Sequence, residues 1–172
     1  MTSDYDTAVF AAYAMRRKFD TGDLWFDVFL PISVLPRLSV CQYTSFCNLF
    51  RISWDEFMEM TPSEDGFSFL RGDEYLIVYN SSLDIPRARQ RFTIAHELGH
   101  YILSHTGRTE AEEREADCFA RNLLAPRQMA IYHGVDFADY QTVFGISAAA
   151  VRVCMDKREE DERLSAGLYP FR

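Results

Sequence analysis

The sequence predicts an α+β fold: a mainly helical single domain with a small antiparallel sheet near its middle. Three observations carry that expectation. The 172 residues amount to one domain, long enough to bury a core without disulfide staples. Apolar residues recur at helical spacing on both sides of the midpoint. One stretch only, residues 66–80, alternates in the manner of two paired strands around a turn.

Residues 1–65 read as a helical N-terminal part. Ala8, Ala11, Ala12 and Met15 recur at helical spacing in a helix over 5–18. Residues 23–62 are apolar and aromatic and read as short helices whose limits the pattern does not place. Gly66 to Leu70 alternates, Arg71-Gly72-Asp73 supplies turn chemistry, and Glu74 to Asn80 alternates again, so 66–80 is a hairpin. Residues 84–126 hold two longer helices. Pro86 suits the first turn of one, expected to run to about His105, with Thr106-Gly107 ending it. Thr109 with Glu112 three residues on is a capping box for the second, which ends near Leu124 and Pro126. Residues 127–172 form the C-terminal helices: pieces over 127–144, a last helix capped by Ser147, and a charged tail from Lys157 to Arg163.

Composition narrows the function. Apolar residues make up 48% and charged residues 26%, a globular balance, and the formal net charge is −8. Such a chain is a poor gripper of phosphate backbones, so no direct nucleic-acid role is expected. The basic run Arg87-Ala88-Arg89-Gln90-Arg91 reads as a solvated helix face. Cys41, Cys47, Cys118 and Cys154 form no C-x-x-C pair and read as free thiols of a reducing compartment. Asp4 and Asp6 precede the short apolar run Ala8 to Ala12, and Arg16-Arg17-Lys18 follow it, the wrong charge order for a secretory signal. The apolar stretch from Val28 to Val40 is broken by Pro31, Pro36 and Arg37. The expectation is a cytoplasmic protein with no membrane association.

The one strong chemical signal is His96-Glu97-Leu98-Gly99-His100. In a chain with four histidines, H-E-x-x-H arises by chance in fewer than about one such chain in a hundred. Residues four apart share a helix face, one turn of about 6 Å apart, so two imidazoles so placed can hold one zinc ion. Glu97, rotated by about 100° from His96, stands beside the metal's open position, where a carboxylate can take a proton from an attacking water. Ile94, Leu98 and Ile102 form an apolar stripe roughly opposite the histidines, so the pair is not core filling.

A catalytic zinc takes three protein ligands, and the next helix offers carboxylates. Glu115 falls within its helix's apolar face beside Ala116, Phe119 and Leu123, and a carboxylate turned inward needs a partner such as a metal. Glu112 lies on the same side, but the capping box explains it; Glu113 and Asp117 point away from that stripe. The expected metal ligands are therefore His96, His100 and Glu115, with Glu97 catalytic. Gly99, costly in a helix, suggests close approach of the second helix. The longer H-E-x-x-H-x-x-G-x-x-H pattern is absent, because Leu103 and Thr106 stand at its last two places. His105 reads as a helix-end or supporting residue. His133 is structural or exposed, or polarises the substrate carbonyl.

Arg91 to His100, and the block Glu113-Arg114-Glu115-Ala116-Asp117-Cys118-Phe119-Ala120 with Leu123 to Pro126, resemble the signature of the ImmA/IrrE family of metallopeptidases. Ile77 to Asn80 resembles the strand before that family's zincin-like active-site helix. Phe144 to Ser147 with Val151-Arg152 resembles its C-terminal element. Asp117 stands where Asn is usual. The resemblance implies a Zn2+-dependent endopeptidase whose third ligand is the Glu directly before Ala, here Glu115. It also implies a regulatory role: cleavage of a helix-turn-helix transcriptional repressor, switching on a mobile element or a stress response. Two other classes fit the same residues. One is a metal-stabilised module that sequesters a repressor without cutting it; the other is a metal-dependent hydrolase of small molecules.

Overall fold

The computed structural model describes residues 4–171. Helix α1 (Asp4–Lys18) is followed by α2 (Phe29–Val34), strand β1 (Leu38–Gln42), α3 (Tyr43–Phe50) and α4 (Trp54–Met60). The hairpin β2 (Gly66–Arg71) and β3 (Glu74–Tyr79) comes next, then the long helices α5 (Arg87–Ile102) and α6 (Glu110–Leu124). Helices α7 (Arg127–Tyr132), α8 (Tyr140–Phe144), α9 (Ala148–Asp156) and α10 (Arg158–Leu164) complete the chain.

The sheet has the order β1-β3-β2. The hairpin expected over 66–80 pairs antiparallel, with Gly66 opposite Tyr79 and Arg71 opposite Glu74. The expected antiparallel sheet is nevertheless mixed, because β1 joins the other side of β3 in parallel, with Leu38 opposite Tyr75. This strand has no clean alternation of buried and exposed positions, and it sits inside a segment that reads as helical, so its sequence carried no period-two signal.

Central strand β3 is covered on both faces, and its period of two divides the core. Ile77 and Tyr79 enter the main helical core with Ala8, Val9, Ile94, Leu98, Phe119 and Leu123. Leu76 and Val78 enter a second cluster with Tyr43, Cys47 and Phe57. There Tyr43 meets Phe57 edge-on with ring centroids 4.7 Å apart.

Helix α5 runs between the sheet and α6. At Gly99 a Cβ would stand 3.0 Å from the Phe119 ring and 3.3 Å from the Ala116 main chain, which is the close approach that its glycine suggests. Buried Arg16 ties α1 to the end of α6: it donates to the Leu123 carbonyl at 2.8 Å and to the Leu124 carbonyl at 3.2 Å.

Arg87 and Arg89 of the basic run are exposed, as on a solvated face, but one residue of that run and one of the charged tail are buried. Arg91 is buried; it donates to the carbonyls of Phe26, Phe144 and Gly145 at 2.7–2.9 Å, and its guanidinium lies over Trp25. Gly145 has φ +62° there, and a side chain on it would run into Arg91. The charged tail is helix α10, and its Asp161 is buried in a two-pronged pair with Arg121, both contacts 2.9 Å. All four cysteines are free, and Cys47, Cys118 and Cys154 are buried. Among the described residues, no helix is long and apolar enough to cross a membrane.

Candidate active site

The site lies where α5 passes α6. His96 and His100 stand one turn apart on α5, turned from the apolar stripe of Ile94 and Leu98, both of which are buried. Their Nε2 atoms converge to 3.1 Å. The carboxylate that meets them is Glu113: its Oε2 is 3.2 Å from His96 Nε2, and its Oε1 is 3.5 Å from His100 Nε2. His96, His100 and Glu113 are the one group of metal-ligating type found among the described residues.

These separations test whether the residues suit a zinc ion. Bonds of about 2.0–2.1 Å at tetrahedral angles require donor atoms roughly 3.3 Å apart. The three observed edges bracket that figure, and two imidazoles with one carboxylate make a donor set of the zinc type. The residues fit the ion.

Each imidazole is held from behind. Asp117 Oδ1 lies 2.8 Å from His96 Nδ1, which donates to it and leaves Nε2 free as a ligand. His100 Nδ1 lies 2.9 Å from His105 Nδ1, and His105 Nε2 lies 3.1 Å from Glu115 Oε2. One tautomer set satisfies this chain. His100 Nδ1–H donates to His105, His105 Nε2–H donates to Glu115, and His100 Nε2 again faces the cluster.

Glu115 is thus not placed among the metal-type ligands. It does turn inward and does have a partner, but the partner is His105. Helix α5 ends at Ile102 rather than near His105, because Ser104 turns into the left-handed region at φ +56°. That turn brings His105 back over His100 instead of leaving it on the far side of the helix. Glu113 and Asp117 point away from the apolar stripe as expected, but that direction is where the histidines are. They lie four apart, spaced like the two histidines they meet, and that matching interval was the signal available in the sequence. Glu112 stays in its capping box, accepting from the Thr109 amide at 3.0 Å. Histidine 133 pairs with the Tyr169 hydroxyl at 2.8 Å rather than with any residue of the cluster.

Glu97 is 3% exposed and ionised. Burial raises its pKa, but hydrogen bonds from Arg108 and Ser68 and the charge of Arg108 outweigh this and lower it overall. Arg108 Nη2 donates to Oε2 at 2.8 Å, and Nη1 to Oε1 at 3.3 Å. Ser68, on the edge strand β2, donates its hydroxyl to Oε2 and meets the Tyr75 hydroxyl at 2.7 Å. Neither Arg108, in the loop before α6, nor Ser68 had a sequence signal. For His100, burial and then the neighbouring His96 push the pKa down to about 4, so it is neutral near pH 7. For His96, burial acts downward, but the Asp117 hydrogen bond and the charge of Glu97 prevail and raise it.

The Peptidase_M78 family model, described as the IrrE N-terminal-like domain, matches residues 56–155, more than half of the chain. The chain belongs to the Peptidase_M78 family. The match takes in the hairpin, both site helices and most of α9. A search of curated proteins and a search of solved structures each found no match. The family is one of peptidases, and the paired histidines with Glu113 suggest a metal ion.

Proposed function

We propose that this Peptidase_M78 member is a zinc-dependent endopeptidase of the cytoplasm that cuts a helix-turn-helix transcriptional repressor. The supporting observation is the convergence of His96 Nε2, His100 Nε2 and a Glu113 carboxylate oxygen beside the buried, ionised Glu97. In this reading His96, His100 and Glu113 hold the zinc, and Glu115 supports His100 through His105. When bound, a zinc ion there supplies Lewis acidity, which acidifies an attacking water and polarises the scissile carbonyl.

Glu97 takes a proton from the attacking water onto its carboxylate and passes it to the departing amine nitrogen. Ser68 and Arg108 fix the orientation of that carboxylate. They also lower its basicity, so loosening of the Arg108 contact as substrate enters favours proton uptake. Asp117 and His105 keep both imidazoles in the tautomer that presents Nε2. The acidic chain, at −8, suits a polypeptide substrate better than DNA.

The test combines metal content with product analysis. Purified full chain is expected to hold one zinc by elemental analysis and to create new termini, with turnover, on a repressor encoded beside it. Glu97→Gln should keep the metal and abolish cleavage. Glu113→Gln should lose metal, and Glu115→Gln should keep most of it. Cleavage by Glu97→Gln at the parent rate, or a repressor bound but never cut, would overturn the reading.

A further inference from the structure

A cavity of about 670 Å³ lies between α5, α6 and α9, within the size range of ligand sites. Its walls are apolar: Phe92, Cys118, Leu124, Ile146, Ala150 and Val153. Val153 is half exposed there, an apolar side chain without cover. The cavity lies beside the cluster just described, although His96, Glu97, His100 and Glu113 are not among its walls. Asp117, which holds His96 Nδ1, lines it, and the Phe92 ring lies 6.3 Å from the His96 ring. Ala88, Phe92 and His96 follow one another at four-residue intervals on α5, so cavity and cluster share one helix face.

The rim carries charge of mostly one sign. Arg89, Arg114 and Lys157 stand against Glu160, with Asp117 engaged by His96. Each of these cations has a carboxylate partner, Arg89–Asp65, Arg114–Glu110 and Lys157–Glu160, and all three pairs lie at the surface, where such contacts are weak and exchangeable.

We infer that this cavity is the specificity pocket of the peptidase, taking a large apolar side chain of the polypeptide substrate flanked by an acidic residue. The inference rests on the metallopeptidase reading and deepens it. Geometry also gives the position. Phe92 and Ala88 are one and two turns from His96, about 6 and 12 Å along α5. An extended peptide advances about 3.3 Å per residue, so the recognised side chain stands two to four residues from the cut bond. Burial of one such side chain accounts for a ten- to hundredfold preference over glycine.

The test uses zinc-loaded full chain and peptide hydroxamates, which anchor on metal. Paired probes differ only in Phe or Gly at the second, third or fourth residue from the hydroxamate, built in either chain direction, with Glu beside that residue. Calorimetry should show one position at which Phe binds about ten- to a hundredfold tighter than Gly. Ala150→Trp fills the cavity, and Val153→Trp blocks its mouth with less risk to folding. Either should bring the Phe probe to within about threefold of its Gly partner, with thermal melts confirming the fold. Equal Phe and Gly affinities at every position would overturn the pocket while leaving the metal site standing. A preference for Lys over Glu neighbours, or a chain that both Trp variants convert from dimer to monomer, would also overturn it. If no hydroxamate binds at all, the metallopeptidase reading falls, and the pocket with it.

Discussion

Replacing Gly99 by alanine sets two physical effects against each other at the centre of the site. In an isolated helix the change is favourable by about 1 kcal/mol. Here the added Cβ would meet the Phe119 ring at 3.0 Å and the Ala116 Cα and carbonyl oxygen at 3.3 Å. Comfortable carbon contacts lie at about 3.5–4.0 Å, so α6 must move off by a few tenths of an ångström. Phe119 is fully buried and the Ala116 atoms are main chain, so neither can turn aside. Overpacking of this kind costs about 1–3 kcal/mol. The net expectation is a destabilisation of up to about 2 kcal/mol, or roughly 4–8 °C in Tm for a chain of this size. Glu113 stands one turn before Ala116 and moves with it, while metal-ligand distances tolerate only about 0.2 Å. Zinc affinity should therefore fall by about tenfold. Thermal melts of the metal-free protein and zinc titration against a competing chelator measure the two effects separately. A Gly99→Ala protein that melts higher than the parent and holds zinc as tightly would refute the reasoning, since helix propensity alone would then govern the position.

Other consequences are as direct. Asp117→Ala removes the acceptor of His96 Nδ1–H and should weaken zinc binding by about 10- to 100-fold, read in the same chelator titration. The Glu112 pKa is held down to about 2, first by the Thr109 amide and hydroxyl and then by the Gly107 amide, against an ordinary 4.5. A depressed carboxylate stabilises the fold above its unfolded pKa and loses that effect as pH falls through the folded one. Glu112→Gln should therefore melt lower than the parent at pH 7, with the gap closing between pH 4.5 and 2. Asp161→Asn leaves Arg121, whose side chain is only 10% exposed, without its counter-charge and should cost about 3–5 kcal/mol in urea unfolding. A loss below about 1 kcal/mol would show that the pair is effectively solvated.

The capping box at Thr109 and the long helices were legible in the chain because each depends on residues within one or two turns of one another. So was the hairpin at 66–80. The H-E-x-x-H pair is local in the same sense: helix geometry alone aligns His96 with His100. The third carboxylate was not legible on the same terms. The wheel of α6 shows which side of that helix is apolar, and Glu115 lies on it. It does not show which side faces the histidines, since that depends on how α6 crosses α5 at Gly99 and Ala116. Glu113 and Asp117, on the edge of the helix rather than on its buried stripe, are the carboxylates that meet His96. Strand β1 carries no local signal because its stability comes from pairing with β3, more than thirty residues away.

What the sequence determined by itself is what nearest neighbours along the chain determine: helix periods, caps, the turn of the hairpin, and two imidazoles with a glutamate on one helix. Tertiary structure alone decided that Glu113 meets those imidazoles while Glu115 steadies His105, and that Arg91 and Asp161 lie buried instead of in solvent. The physical reason is that a side chain's direction is set by its own helix, whereas its partner is set by the crossing of two helices. That crossing is settled by packing over the whole core.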